Sequence, residues 1–547
     1  MNIFLFFITG IVAWRLHTSL SHLASVPKKI PWVGRTGNWA SYFLSQIKAI
    51  WKTPATIREA YQKYSKHGAI VAIPLPFSRP EIMLPRSLIR WMISQDENVL
   101  SPTPVQYEVV GPKYAFWNSS VHGDMAVYKV LKKSMSRELP KMIPIIMDEL
   151  VTRIDEAFGL GNEWREIPSH EVVRKVIGRV ASRVILGYPL CDDEQLCEDM
   201  TNFTTFIVPS ALLLRLFPPF THPILSYLTH YLNRIYKQKS LTVLGPYIQQ
   251  QLDIAEKEMA SGAKTLLARD DIMTWLITDA VRRNEPKEGL IDRIACRVFI
   301  AQFAAMETTT MTISHCLLDL CASDAPAQIW EGLAEEGRRV LSAPLDLASV
   351  NSLSRADSAL KETLRLRTSI KALASQVTAP KGLVLEGYDV RLPQGSRLAV
   401  SAWGIHTDKS IYGPNAEEYD PFRFSRPSED NNAAATASTG TGDANADSSA
   451  ADTNANSKMS LMVSATEDYL PFGMGRHACP GRYFAAVELK LFLAYLAVHY
   501  DLKLGEAGRP GFVSIGHFPI PPLKGKLIVR RRSALLTETK VPICISA

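Results

Sequence analysis

The sequence predicts a mainly α-helical protein with small β-sheets, and three observations carry that expectation. The stretch LIDRIACRVFIAQFAAMETTTMTISHCLLDLCA, 290–322, keeps helical spacing while staying apolar nearly all round, as a buried central helix must. From about residue 120, apolar positions recur mostly at helical spacing. Only short stretches, near 67–83, 375–402 and in the tail, alternate as strands do. The 547 residues are 46% hydrophobic and 21% charged, enough for a large core and too apolar for general disorder. Without a repeat and with one low-complexity break, the chain reads as one large folded unit.

The chain opens MNIFLFFITGIVAW, an apolar run from Asn2 to Trp14. That is short for a spanning helix, which needs roughly 20 residues, unless it continues past Arg15, His17 and His22 to Val26. No cation precedes the run, and Lys28 and Lys29 follow it. Both facts favour an uncleaved anchor at 1–26, with the body facing the cytoplasm, over a secretory signal peptide. Pro27 and Pro31 make a stiff hinge at 27–35, and 36–547 form the body. Within the body, 67–83 reads as short strands, and 141–157 and 169–186 as helices. The 205–244 stretch, rich in Leu, Phe and Pro, suits a greasy cleft or a lipid surface. An amphipathic helix over 266–283 precedes a polar turn. After the long helix come helices at 327–341 and 353–367, an antiparallel sheet at 375–402, a helix at 482–499 and a β-rich tail. The 426–458 stretch has no core-forming content beyond Ala and is expected to be a disordered insert.

The net charge of +7 is spread along the chain. It suits an anionic membrane surface or an acidic protein partner and gives no sign of nucleic acid. Seven cysteines without a CxxC pair fit a reducing compartment.

Cys479 stands apart. In PFGMGRHACPGRYFA, 471–485, it sits among Gly473, Gly475 and Gly481, just before a helix start. Glycines let backbone amides approach the sulfur, and amides, a helix start and nearby cations favour a thiolate. Such a sulfur is suited to ligate haem iron. Arg476 and His477 could pair with acidic groups on a macrocycle, and Phe472 could pack on the sulfur. The residues alone leave an ordinary buried cysteine in a turn open too, and as the commoner case.

The loop resembles the haem-binding loop of the cytochrome P-450 monooxygenases, with Phe472, Gly475, His477, Cys479 and Gly481 at its fixed positions. Two further signatures agree. Glu362 and Arg365 lie three apart in KETLRL, and Arg423 in YDPFRF matches the family's third member of that buried charge cluster. AAMETT, 304–309, resembles the family's oxygen-activation segment. Ala304 and Ala305 would leave room for dioxygen, Thr308 would hold a water and Glu307 would relay protons. Ala305 stands where the family commonly has Gly. Tyr128 and Lys132 are the nearest match to the pair that holds a haem propionate. Lys129, Lys132, Lys133 and Arg137 also make a basic face for an electron-transfer partner.

The resemblance implies a triangular helical body with the long helix over the cofactor. That cofactor would be haem b (Fe-protoporphyrin IX) with Cys479 as axial thiolate. Electrons would come from a membrane-bound NADPH-dependent flavoprotein reductase, with cytochrome b5 as a further candidate donor. The implied location is the endoplasmic reticulum membrane. Phe299, Phe303, Ala304 and Leu373 are implied pocket residues, within regions near 100–118, 205–215, 297–305 and 369–375. A small but bulky hydrophobic substrate follows. The spellings FAAMETTT, EEYDPFRF and FGMGRHACPGRYFA resemble filamentous-fungal members that oxidise diterpenoids, indole diterpenoids, meroterpenoids and alkaloids. Two other activities stay open, a haem-thiolate isomerase or dehydratase and a non-catalytic haem protein.

Overall fold

The computed structural model describes residues 2–34, 39–76, 78–118, 123–263, 265–267, 269–367, 370–426, 461–511, 513–520 and 522–532. The insert expected at 426–458 lies outside the described residues except for Arg426, as does Cys544.

Helices dominate because the apolar positions recur at helical spacing. The amino-terminal part contains α1 (Asn2–Ala24), α2 (Trp39–Lys63), α3 (Ile89–Ser94), α4 (Thr103–Val110) and α5 (Pro112–Ala115). The body follows with α6 (Ala126–Phe158), α7 (Ser169–Leu186), α8 (Glu194–Leu214), α9 (His222–Thr229) and α10 (Tyr231–Ala260). Next are α11 (Ile272–Arg282), α12 (Leu290–Cys321), α13 (Pro326–Leu341), α14 (Leu347–Asn351) and α15 (Ser354–Arg367). The last are α16 (Ala402–His406), α17 (Lys409–Tyr412) and α18 (Arg482–His499). The expected helix at 266–283 is shorter at its start, because the Asp271 carboxylate caps α11 by accepting from Thr274 N–H at 2.7 Å. The mixed 205–244 stretch is divided among α8, α9 and α10.

Among the described residues, twelve strands make four small sheets: β1 (Val71–Ile73), β2 (Glu81–Leu84), β3 (Leu100–Ser101), β4 (Arg165–Pro168), β5 (Ala372–Val377), β6 (Leu383–Leu385), β7 (Val390–Leu392), β8 (Arg397–Val400), β9 (Tyr500–Leu504), β10 (Val513–Ile515), β11 (Phe518–Ile520) and β12 (Lys526–Arg531). The largest runs β1-β2-β8-β5-β3. The 375–402 region was expected to pair within itself. It also joins β2, because β8 runs parallel to β2 with Glu81 opposite Arg397. A bulge between Ala372 and Ser375 interrupts the β5–β8 register, and Leu373 inside it has φ 56°.

The main core lies where α12 packs on α6, α7, α8 and α15. Ile294, Phe299, Met306 and Ile313 of α12 are fully buried there. At the other end, α1 packs on α2, with the Ser19 hydroxyl donating to Gln46 Oε1 at 2.7 Å. Among the described residues, no helix is long and apolar enough to cross a membrane. Within the 27–35 segment, Ala72 N–H donates to the Pro31 carbonyl at 2.8 Å and Val33 N–H to the Ala72 carbonyl at 3.0 Å.

Candidate functional site

A cavity of about 750 Å³ lies between α12 and the loop before α18. Cys479, Phe472, Gly473 and Gly481 form one side; Ala301, Ala304, Ala305, Thr308 and Thr309 form another. The loop can bend this sharply because Gly473 and Gly475 stand at φ 67° and 71°, where a side chain is strained. Cys479 N–H donates to the Phe472 carbonyl at 2.8 Å, closing the turn. Burial pushes the Cys479 thiol up from its ordinary value. The N–H groups of Gly481 and Arg482 and the Arg482 guanidinium pull the other way. Such a sulfur gives up its proton when a metal cation takes the proton's place.

Arg476 borders the cavity, and its guanidinium is engaged by neighbouring backbone. Its exposed guanidinium donates to the carbonyls of Ser94 and Gln95 at 3.3 and 2.7 Å, tying the loop to the end of α3. His477 is on the cavity wall, and burial lowers its pKa. The Tyr128 hydroxyl donates to the Arg476 carbonyl, and Tyr128 borders the main cavity. Lys132 borders a separate space of about 180 Å³ that it shares with Tyr128, Arg482 and Tyr483. Its ammonium is 5.7 Å from the Tyr128 ring centroid.

On α12, Thr308 and Glu307 part company. The Thr308 hydroxyl is 3.3 Å from the Ala304 carbonyl and opens to the cavity. The Glu307 carboxyl is not part of the cavity wall; it lies 2.8 Å from the Thr204 hydroxyl of α8. Thr204 Oγ1 is also 2.8 Å from the Thr201 carbonyl, which can only accept. With one hydroxyl proton to give, Thr204 satisfies both neighbours if Glu307 is protonated and donates to it. Burial, opposed by Thr204 and by Arg174, raises the Glu307 pKa in the direction this requires.

Glu362, Arg365 and Arg423 come together. Arg365 Nε and Nη2 each donate to a Glu362 oxygen at 2.7 Å, and Arg423 Nε reaches Glu362 Oε1 at 3.0 Å. Glu362 and Arg365 are buried. Arg423 Nη1 also donates to Asn415 Oδ1 at 2.9 Å, so the pair on α15 anchors the segment that leads toward the cysteine loop. His406 continues the tie: Leu470 N–H donates to its Nε2 at 3.0 Å, and its Nδ1 faces the Arg365 carbonyl at 3.0 Å.

Of the expected pocket residues, Ala304 and Leu373 line the cavity. Phe299 does not: it is buried in the core 4.5 Å from the Phe203 ring centroid. Phe303 packs against the same core and is not on the wall either. No residue of 205–215 reaches the wall, since α8 turns its inner face toward α10 and α12. Unexpected wall residues are Ala181 and Val184 of α7, Ile93 of α3, and His517 in the β10–β11 turn. None belongs to a local motif, so only the tertiary fold reveals them.

The fit to a haem is good in chemistry and shape. A sulfur held by amide donors sits on one side of a mainly apolar cavity and small side chains on another. Comparison with known proteins agrees. The family model "Cytochrome P450" matches residues 122–529. The chain is 29% identical to Cytochrome P450 monooxygenase gloO of Glarea lozoyensis, covering 96% of each. It is 30% identical to Cytochrome P450 monooxygenase polB of Polytolypa hystricis, covering 92% of this chain and 94% of that protein. Retinoic acid-bound cyanobacterial CYP120A1 shares the fold at TM-score 0.59 and 18% identity, with 92% of this chain and 99% of that one covered.

Proposed function

The chain belongs to the cytochrome P450 family, and from that premise we propose that it is a haem-thiolate monooxygenase placing one atom of dioxygen into a bulky hydrophobic molecule. The observation that supports this most is Cys479, set with its amide donors at the cavity beside Ala304, Ala305 and Thr308. Haem b, when bound, supplies dioxygen activation, helped by electron donation from the thiolate.

The chain's own residues place and protonate. Cys479 would hold the iron, and Tyr128 and His477, on the same cavity, would meet the haem carboxylates. The Thr308 hydroxyl directs its proton to the Ala304 carbonyl, which leaves its oxygen free to hold a water in the cavity. Glu307 keeps a proton in reserve beside Thr204 and delivers it only by turning away from that hydroxyl. The apolar wall excludes bulk water and selects a hydrophobic substrate. Given fungal relatives, a terpenoid, indole diterpenoid, meroterpenoid or alkaloid intermediate is the substrate class proposed.

Lys129, Lys133 and Arg137 are exposed on α6, beside the loop that holds Cys479, and suit the acidic face of an NADPH-dependent reductase or of cytochrome b5. The location proposed is the endoplasmic reticulum surface, with the body facing the cytoplasm. Phe220, Ile224 and Leu228 are exposed and contiguous with α9, as at a lipid-facing surface. Arg15 of α1 donates to the Arg215 carbonyl close by, so helix and patch sit together.

The test is the carbon-monoxide difference spectrum of dithionite-reduced protein, beside Cys479→Ser. A strongly red-shifted Soret band in the natural protein alone is expected, followed by substrate-dependent NADPH use with a reductase. Well-folded protein that takes up no haem would sink the reading, and product formed without reductase would replace it with an isomerase.

A further inference from the structure

Once Glu307 hands its proton on, a carboxylate is left in a buried place, and burying such a charge is costly. It has to be protonated again before the next turnover, and that proton comes from solvent. The packing of α12 on α7 offers a route. Gln302, Met306, Thr310 and Ser314 stand four apart and form one ridge along α12. The ridge lies along α7 in the opposite direction. Gln302 Nε2 donates to the Gly178 carbonyl at 3.3 Å and to the Ser182 hydroxyl at 3.2 Å, while Ser314 Oγ is 3.4 Å from His170 Nδ1. Thr310, between those contacts, is set against the middle of α7 at the level of Arg174.

Thr310 differs from the threonines beside it. Thr308 and Thr312 each give the hydroxyl proton to the carbonyl four residues back, Ala304 at 3.3 Å and Thr308 at 2.8 Å. The Thr310 hydroxyl is buried and has no hydrogen-bond partner among the described residues, and neither has Arg174 Nε on the facing helix. Two buried polar atoms without partners at one level of a helix interface mark a place for bridging water. Thr310 is three residues from Glu307 and four from Ser314. At those spacings Cβ atoms are about 5–6 Å apart, a gap that one water can bridge. Ser314 is 0% exposed, while His170, at the head of α7, is 9% exposed and keeps contact with solvent. The other way out, between α7 and α8, is held by Arg174, whose guanidinium donates to the Thr201 carbonyl at 2.7 Å and to the Thr205 hydroxyl. A fixed positive charge repels a migrating proton.

We propose that this ridge returns a proton to Glu307: from solvent to His170, to Ser314, through a water to Thr310, and through a second water to the Glu307 carboxylate. The inference rests on the monooxygenase reading and adds the return half of its proton cycle. Each step breaks one O–H or N–H bond and forms another without change of oxidation state, and one proton enters at His170 for each one received at Glu307. Burial and the Arg174 charge lower the His170 pKa to about 4, so the imidazole is a neutral relay that accepts at one nitrogen as it releases from the other. Thr310 is off the cavity wall and is a positioning residue: it holds the water that meets Glu307.

The experiment uses the full chain loaded with haem. Haem content and the carbon-monoxide spectrum are recorded first, so that failure of the monooxygenase reading shows itself separately. Infrared spectra are then followed after transfer into deuterium oxide, where the carboxylic-acid C=O band of Glu307, identified by its loss in Glu307→Gln, shifts as its proton is replaced. Glu488 of α18 supplies an internal clock. It is fully buried with neither carboxyl oxygen partnered among the described residues, so its acid band, identified by Glu488→Gln, exchanges only when the fold opens. In the natural protein and in Thr310→Ser, the Glu307 band should exchange well ahead of the Glu488 band. Thr310→Val keeps the shape and removes the hydroxyl; it should slow the Glu307 band about tenfold or more, as should Ser314→Ala, with the Glu488 rate unchanged. Full-speed exchange in either folded variant overturns the proposal by sending the proton another way. A natural protein with no acid band from Glu307, or with one that exchanges no faster than that of Glu488, overturns it too.

Discussion

His406 has its proton placed by its neighbours. Leu470 N–H donates to Nε2, so Nδ1 carries the hydrogen and donates to the Arg365 carbonyl. Full burial, together with the nearby Arg365 charge, lowers its pKa to about 3. The folded value is depressed, so the contribution is present above the ordinary value of about 6.5 and is lost as pH falls from there toward 3. His406→Gln should flatten the acid side of a stability–pH curve by one proton, about 1.4 kcal/mol per pH unit. Thermal midpoints between pH 6 and 4 measure it; an unchanged slope would count against the assignment. Glu307→Gln should lower kcat about a hundredfold while leaving substrate binding intact, with a larger solvent isotope effect. The acid–Thr pair was legible because its residues are adjacent in one motif. Their different directions were not, since neighbours on a helix point about 100° apart and Thr204 is 103 positions away.

Among the elements, the loop before α18 has least freedom. A Cβ at Gly475 would meet Ile93 Cβ at 3.1 Å, in a backbone conformation that already disfavours side chains. Gly475→Ala should therefore cost about 1–2 kcal/mol from the backbone alone and reduce haem content, with partial recovery on adding Ile93→Ala. Haem per protein and the thermal midpoint report both effects. Glu362→Ala on α15 strips two arginines of their shared carboxylate and should cost about 3–5 kcal/mol, seen as a lower midpoint and loss of haem. These elements could be read early because their constraints are local: glycine spacing in the loop, and a pair three apart on one helix face. The bounds of α12, α15 and α18 came within a residue of expectation for the same reason. The Lys371–Glu81 pair, 290 positions apart, exists only because β8 pairs with both β2 and β5.

Across the whole molecule, the Cys479 cavity draws its walls from segments between α3 and the β10–β11 turn, so no single stretch of sequence could outline it. The composition indicated a large core and the motifs indicated its chemistry. Which apolar residues face the cavity and which fill the core depended on packing, as Phe299 shows. One further arrangement concerns the two flanks of the low-complexity stretch. On the near side, Phe424 N–H donates to the Ser358 hydroxyl at 3.0 Å; on the far side, Met462 N–H donates to Asp357 Oδ2 at 2.7 Å. Departure and return are thus fastened to consecutive residues of α15, and lengthening a closed loop costs only about 0.6 kcal/mol per doubling. Replacing 427–460 with a short Gly/Ser linker should leave the thermal midpoint and haem spectrum unchanged. The same juncture is a natural gateway for protein engineering: a fluorescent reporter, an affinity handle or a pair of new chain ends could be installed there while α15 keeps both edges of the break in register.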